Sequence, residues 1–167
     1  VDATRLSAIG GTTTGLVTVS NAVKVSAGHE DLLAAFVTTT SKVTAASAKV
    51  TLRDANDEDM TAKEISDIVG EVGSGTITNR VDITGNKTEM TAALVTNGTA
   101  ATIGTTGTTA TVSDLASLSE ANAIAKINNV TASFTLGLSD TAGNLTKDAT
   151  TISDDMAAVT TDQSDIK

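Results

Sequence analysis

The densest group of hard oxygen donors in the chain is Asp54-Ala55-Asn56-Asp57-Glu58-Asp59. Alternate side chains of an extended segment share a face, so Asp54, Asn56 and Glu58, with Asp59 closing the run, could ligate one hard cation such as calcium. The run lacks the central Gly and the distal bidentate Glu of an EF-hand, and it lacks the tandem Gly-rich nonapeptides of calcium-binding β-rolls. Its plainer reading is a solvated acidic loop leading into a helix near Met60, where negative charge suits the N-terminal end of the helix dipole. Asp154 and Asp155 form a weaker acidic pair, read as an ordinary polar turn. His29 is the only histidine and is flanked by Glu30 and Asp31, so a histidine-based site would need partners from far along the chain. It is read as a surface residue of a helix-start loop.

Serine and threonine abound without a Gly-x-Ser-x-Gly elbow, and the glycines form no phosphate-binding loop. Gly10-Gly11 and Gly73-Ser74-Gly75 are read as turns. No catalytic residue and no organic cofactor is assigned, and the chain is read as non-enzymatic. Four Asn-x-Ser/Thr sequons occur, at Asn86, Asn97, Asn129 and Asn144. They bear glycans only if the host glycosylates its secreted proteins, and Asn97, in a Gly/Thr-rich stretch, is the best acceptor among them.

Composition narrows what can position these groups. The 167 residues are 40% hydrophobic, but Ala and Val dominate, and the only aromatics are Phe36 and Phe134. A thin aliphatic core suits a layered stack better than a compact sphere. Threonine runs such as Thr12-Thr13-Thr14 and Thr38-Thr39-Thr40 favour extended backbone through their β-branched carbon. The net charge of −9 and the scattered 11 Lys and Arg residues offer no basic stripe to a phosphate backbone, which argues against nucleic acid as a partner. An acidic Thr-rich surface is easily solvated and can take up divalent cations. With no cysteine there are no disulfides and no thiolate ligands. No apolar run approaches the roughly 18 residues of a membrane span. Opening on Val1 rather than Met is expected of a processed product or an excerpt of a longer chain.

A strand-to-helix pattern recurs. Val23 to Ala35, Val81 to Ala93 and Leu136 to Leu145 each pass from alternating apolar residues through a small polar turn into helical spacing. Aligned on Ser26, Thr84 and Ser139, the copies share an apolar residue just before (Val25, Ile83, Leu138). A polar acceptor follows five places later (Asp31, Glu89, Asn144), and then Leu32, Met90 or Leu145. The hydroxyl is expected to end the strand or cap the helix. Two longer helices are expected between the copies. One is at Met60 to Val69, with Thr61 and Glu64 at capping-box spacing, and the other at Leu118 to Ile127. The expected fold is therefore mixed α/β and strand-rich, an elongated repeat of strand, helix, strand and short-helix modules. Its divisions are a partial N-terminal module at 1–44, one module at 45–96, a Gly/Thr loop or linker at 97–108, a second module at 109–147, and a polar tail or further module from 148 to 167.

Leu138-Ser139-Asp140-Thr141-Ala142-Gly143-Asn144-Leu145 resembles the S-D-T-A-x-N-L repeats of large secreted bacterial proteins, among them cyanobacterial haemolysin-like surface proteins and surface-layer or adhesin chains. The resemblance is clearest over 109–147, degenerate over 50–94 and faint before 44. It implies an extracellular structural role at the cell surface, often linked to calcium, and carries no catalytic residue. The expectation is a segment or subunit of a microbial surface layer that associates with itself. The same vocabulary also fits an adhesin, a phage fibre or an extracellular filament. A module binding carbohydrate, such as cell-surface polysaccharide, or another protein is the alternative of a different class.

Overall fold

The computed structural model describes residues 1–39, 43–53, 60–72, 76–78, 81–96, 108–127 and 130–157. Short runs rich in Val and Thr form β1 (Val17–Thr18), β2 (Lys24–Ala27), β3 (Val43–Thr44), β4 (Lys49–Leu52), β5 (Met60–Thr61), β6 (Thr76–Thr78), β7 (Ile83–Gly85), β8 (Thr108–Val112) and β9 (Val130–Phe134). They pair in parallel in three sheets, β1-β3, β2-β4-β6 and β5-β7-β8-β9. Parallel partners need a crossover, and here it is helical. The helices are α1 (Ala3–Thr12), α2 (His29–Leu32), α3 (Ala62–Val72), α4 (Lys87–Met90), α5 (Leu118–Ala125) and α6 (Ala142–Leu145). Both α2 and α4 widen into π-helix, over Leu33–Val37 and Thr91–Thr96.

The register recurs at a narrow interval. Partners lie 25 residues apart for Lys24 and Lys49, 27 for Lys49 and Thr76, 23 for Met60 and Ile83, 27 for Ile83 and Ala110, and 22 for Thr108 and Val130. Because side chains alternate faces along a strand, this register stacks like positions: Val25 on Val50, and Met60, Ile83, Ala110 and Ala132 in one row. All six are buried, and one continuous aliphatic core runs from Ala3 to Phe134. The helices close that core with residues at helical spacing, such as Ile65, Ile68, Val69 and Val72 on α3 and Leu118, Ala121 and Ile124 on α5.

Mixed α/β is thus the fold class, but strand does not predominate: helix takes 44% of the described residues and strand 24%. Threonine accounts for much of the difference from expectation. Its hydroxyl bonds local backbone, as Thr12 does to Ile9 O, Thr13 to Gly10 O and Thr38 to Leu33 O. The runs at 12–14 and 38–40 therefore begin by closing helices rather than extending strands. Gly10 and Gly11 likewise belong to α1 and not to a turn, and Gly10 is buried there beside Ala3 and Leu6. Gly73 to Gly75 lie outside the described residues.

Two positions make the packing testable. A Cβ on Gly85 would stand 2.8 Å from Ala62 Cβ and 3.3 Å from Glu89 Oε2, so the strand passes α3 at a distance only glycine allows. Gly85→Ala should lower the urea unfolding free energy by about 1 to 3 kcal/mol. Conversely, the Ser66 and Thr91 hydroxyls are shut off from solvent without a hydrogen-bond partner. Ser66→Ala should leave stability unchanged or raise it by up to about 1 kcal/mol, and a clear loss in the same measurement would show that the hydroxyl is bonded.

Candidate functional site

Where each strand hands over to a helix, the first backbone N–H groups of the helix need acceptors. Three turns solve this with a reciprocal box. Thr61 Oγ1 accepts from Glu64 N at 3.2 Å, while the Glu64 carboxylate accepts from Thr61 N at 2.9 Å and its hydroxyl at 2.8 Å. Asn86 Oδ1 accepts from Glu89 N at 2.9 Å, and the Glu89 carboxylate accepts from Asn86 N at 3.2 Å. Ser117 Oγ accepts from Glu120 N at 3.3 Å, and Glu120 accepts from both Ser117 N and Oγ at 2.8 Å. With the plainer starts at Asp2, Gly28 and Thr141, the turn residues follow one another at 26, 33, 25, 31 and 24 positions, a short interval alternating with a long one.

A second set of carboxylates ties one turn to the next. Asp114 Oδ1 accepts from Lys87 N at 2.6 Å, and Asp140 Oδ2 accepts from Leu118 N at 3.0 Å. Each caps the first N–H of the preceding helix from the turn that follows the next strand. Asp82 Oδ1 accepts from Thr109 N at 2.6 Å, and Lys87 Nζ stands 3.5 Å from the Glu120 carboxylate. Sequence reading had no signal for these links beyond their spacing: the pairs 87 and 114, and 82 and 109, lie 27 apart, the same interval as Ile83 and Ala110. Ser26, Thr84 and Ser139, expected as strand ends or caps, stand two residues before the turn residues Gly28, Asn86 and Thr141, and Ser26 and Thr84 lie within strands. The acceptors five places on from them, Asp31, Glu89 and Asn144, occupy the third helical position.

Asp54, Asn56, Glu58 and Asp59 lie outside the described residues, as do Asn97 and Asn129. Among the described residues no group of three or more acidic, His or Cys side chains is placed to hold a metal. His29 is the half-buried first residue of α2. Asp154 pairs with Lys147, and Asp155 is exposed. Asn86 is the half-buried cap just described, whereas Asn144 is exposed and its Nδ2 donates to Asp140 Oδ1 at 2.7 Å. Phe134 is fully buried and Phe36 is 3% exposed, so neither ring offers a sugar a stacking face. A groove of about 540 Å³ opens beside α5, lined by Leu118, Asn122, Ala123, Asp140 and Asn144 among others. No family model, no curated protein and no solved structure matches this chain.

Chemically, the arrangement joins successive turns through ionised carboxylates. The Asn144 amide, then the Thr141 and Leu118 N–H groups, hold the Asp140 carboxyl below its ordinary pKa. The Ser117 N–H, the Ser117 hydroxyl and Lys87 do the same for Glu120 against the opposing effect of burial. A folded-state pKa below the unfolded value means that the stabilisation is present above the unfolded values, about 4, and is lost as pH falls through the lower folded ones. The thermal midpoint should therefore drop steeply below about pH 4, and Asp140→Asn should flatten that part of a circular-dichroism melting series while lowering the midpoint at neutral pH.

Proposed function

We propose that the chain is a structural segment or subunit of a microbial surface layer, built as an elongated repeat of strand-and-helix units. The observation that supports this most is the recurrence itself. Parallel strand partners fall 22 to 27 residues apart, and three of the strand-to-helix turns, at Thr61, Asn86 and Ser117, carry the same kind of box. Units that bury their faces only against neighbours form extended bodies, which carry load and pack into arrays. The likeness of Leu138 to Leu145 to secreted surface repeats points the same way.

In this reading the function is mechanical. Acidic faces meet through divalent ions, with Asp54, Asn56, Glu58 and Asp59 as the calcium ligands, and copies associate at the cell surface, where polysaccharide anchors them. Adhesins, fibres and filaments built of such units would differ in how the copies assemble, which imaging separates. Negative-stain microscopy and light scattering, in calcium and then in chelator, should show ordered sheets that dissolve when calcium is withdrawn. Filaments in place of sheets would favour the fibre reading. Particles that stay monodisperse in both solutions would count against any self-assembling role.

A further inference from the structure

We infer that the outward face of strands β2 and β4 binds an anionic polysaccharide through Lys24, Lys49 and Arg53. This rests on the cell-surface reading above and names the chemistry of the polysaccharide that would anchor the copies. The first observation is where the register puts charge. Lys24 on β2 pairs with Lys49 on β4, so two exposed ammonium groups rise side by side from strands about 4.8 Å apart. Like charges directly opposite one another destabilise a sheet, and neither lysine side chain has a hydrogen-bond or ion-pair partner among the described residues. Val25 and Val50, the next residue on each strand, are buried, so both lysines belong to the solvent side.

The second observation is what else that face carries. Arg53 follows β4 on the side of Lys49, about 13 Å along the chain direction, and its Nε donates to Ser26 Oγ on β2. This bond holds the guanidinium across the two strands and leaves its terminal N–H groups to a carboxylate or sulfate, which the planar fork can take in two bonds. Between Arg53 and the lysines, Thr51 stands in register with Ser26, and its half-buried hydroxyl has no partner among the described residues. Cations with a free hydroxyl between them suit a sugar chain that bears acidic groups, and such a contact needs no aromatic platform.

The third observation is what opposes this charge. The acidic groups nearest in sequence are Asp2, Glu30, Asp31 and Asp54, of which Asp54 lies outside the described residues. Asp2 accepts from Thr4 N at 2.9 Å and Asp31 from Thr4 Oγ1 at 3.5 Å, while Glu30 is exposed on α2, which Leu32 anchors in the core. None of these three forms an ion pair with the cations. The net charge of −9 repels an anionic polymer at long range, but physiological salt screens it beyond roughly 8 Å, so the groups in contact decide the outcome. The three cations stand on the face of the sheet and not at the edge of β2, where the Val1 ammonium already donates to Lys24 O.

The test measures binding of the full chain, in chelator and at physiological ionic strength, to immobilised polygalacturonate and to its methyl ester, which has the same sugars without the charge. Wild type should bind the acid polymer and not the ester. Lys24→Gln with Lys49→Gln should weaken that binding on the order of tenfold, and Arg53→Gln about threefold. Lys126→Gln removes an exposed charge at the end of α5 and should leave binding unchanged. The double variant should melt no lower than wild type, because the repulsion between the paired lysines is gone, so its weaker binding would not come from misfolding. Equal binding by wild type and the double variant, or equal binding to acid and ester, would overturn the site. A double variant that binds the polymer as wild type does but forms no sheets in calcium would assign the face to an acidic surface of a second copy, and would overturn the polysaccharide. Wild type that binds neither polymer yet forms sheets in calcium would overturn this inference and leave the surface-array reading standing, whereas failure of both would overturn both.

Discussion

Everything in this fold depends on the strand-to-helix turn. The chain leaves an extended conformation and enters a helix within one or two residues, next to a packed sheet, and the first helical N–H groups would there be left without acceptors. At Thr61, Asn86 and Ser117 a side chain accepts from the third helical N–H and a Glu at that position accepts back, so the turn is closed from both directions. Asp114 and Asp140 then supply an acceptor for the first N–H of the preceding helix. Because those two carboxylates come from the turn after the next strand, the bond that ends one turn also sets the spacing to its neighbour. Local capping and the order of stacking are thus the same set of hydrogen bonds.

This explains which parts of the fold could be read from the residues. Thr61 and Glu64 sit three apart in front of an apolar helical pattern, and both the box and the buried face of α3 follow from that spacing. The recurring approach to Leu32, Met90 and Leu145 was also legible, because a small residue, an acceptor and an apolar anchor recur in a fixed order. The position of the cap was not, since hydroxyl and amide residues crowd the turn and several could serve. In the structure Ser26 and Thr84 lie within strands, and the turn residues come two places later. Helix α1 was hidden for a related reason. Gly10, Gly11 and Thr12 have the chemistry of a turn, yet Asp2 caps the segment and Ala3, Leu6 and Gly10 bury one face. The roles of Asp114 and Asp140 depend on a parallel register, which acts across more than 20 residues and leaves no mark on neighbouring sequence.

The composition then follows from the stack. A row such as Met60, Ile83, Ala110 and Ala132 is packed between strands a fixed distance apart, so each position takes a side chain matched to the helix above it rather than to a spherical centre. The row Gly85, Val112 and Phe134 shows the constraint: no side chain fits where β7 passes Ala62, and the ring is accommodated two strands further along. Stability is shared along one continuous core that runs from Ala3 to Phe134. A core shared in this way has no need of cysteine or of a large aromatic centre.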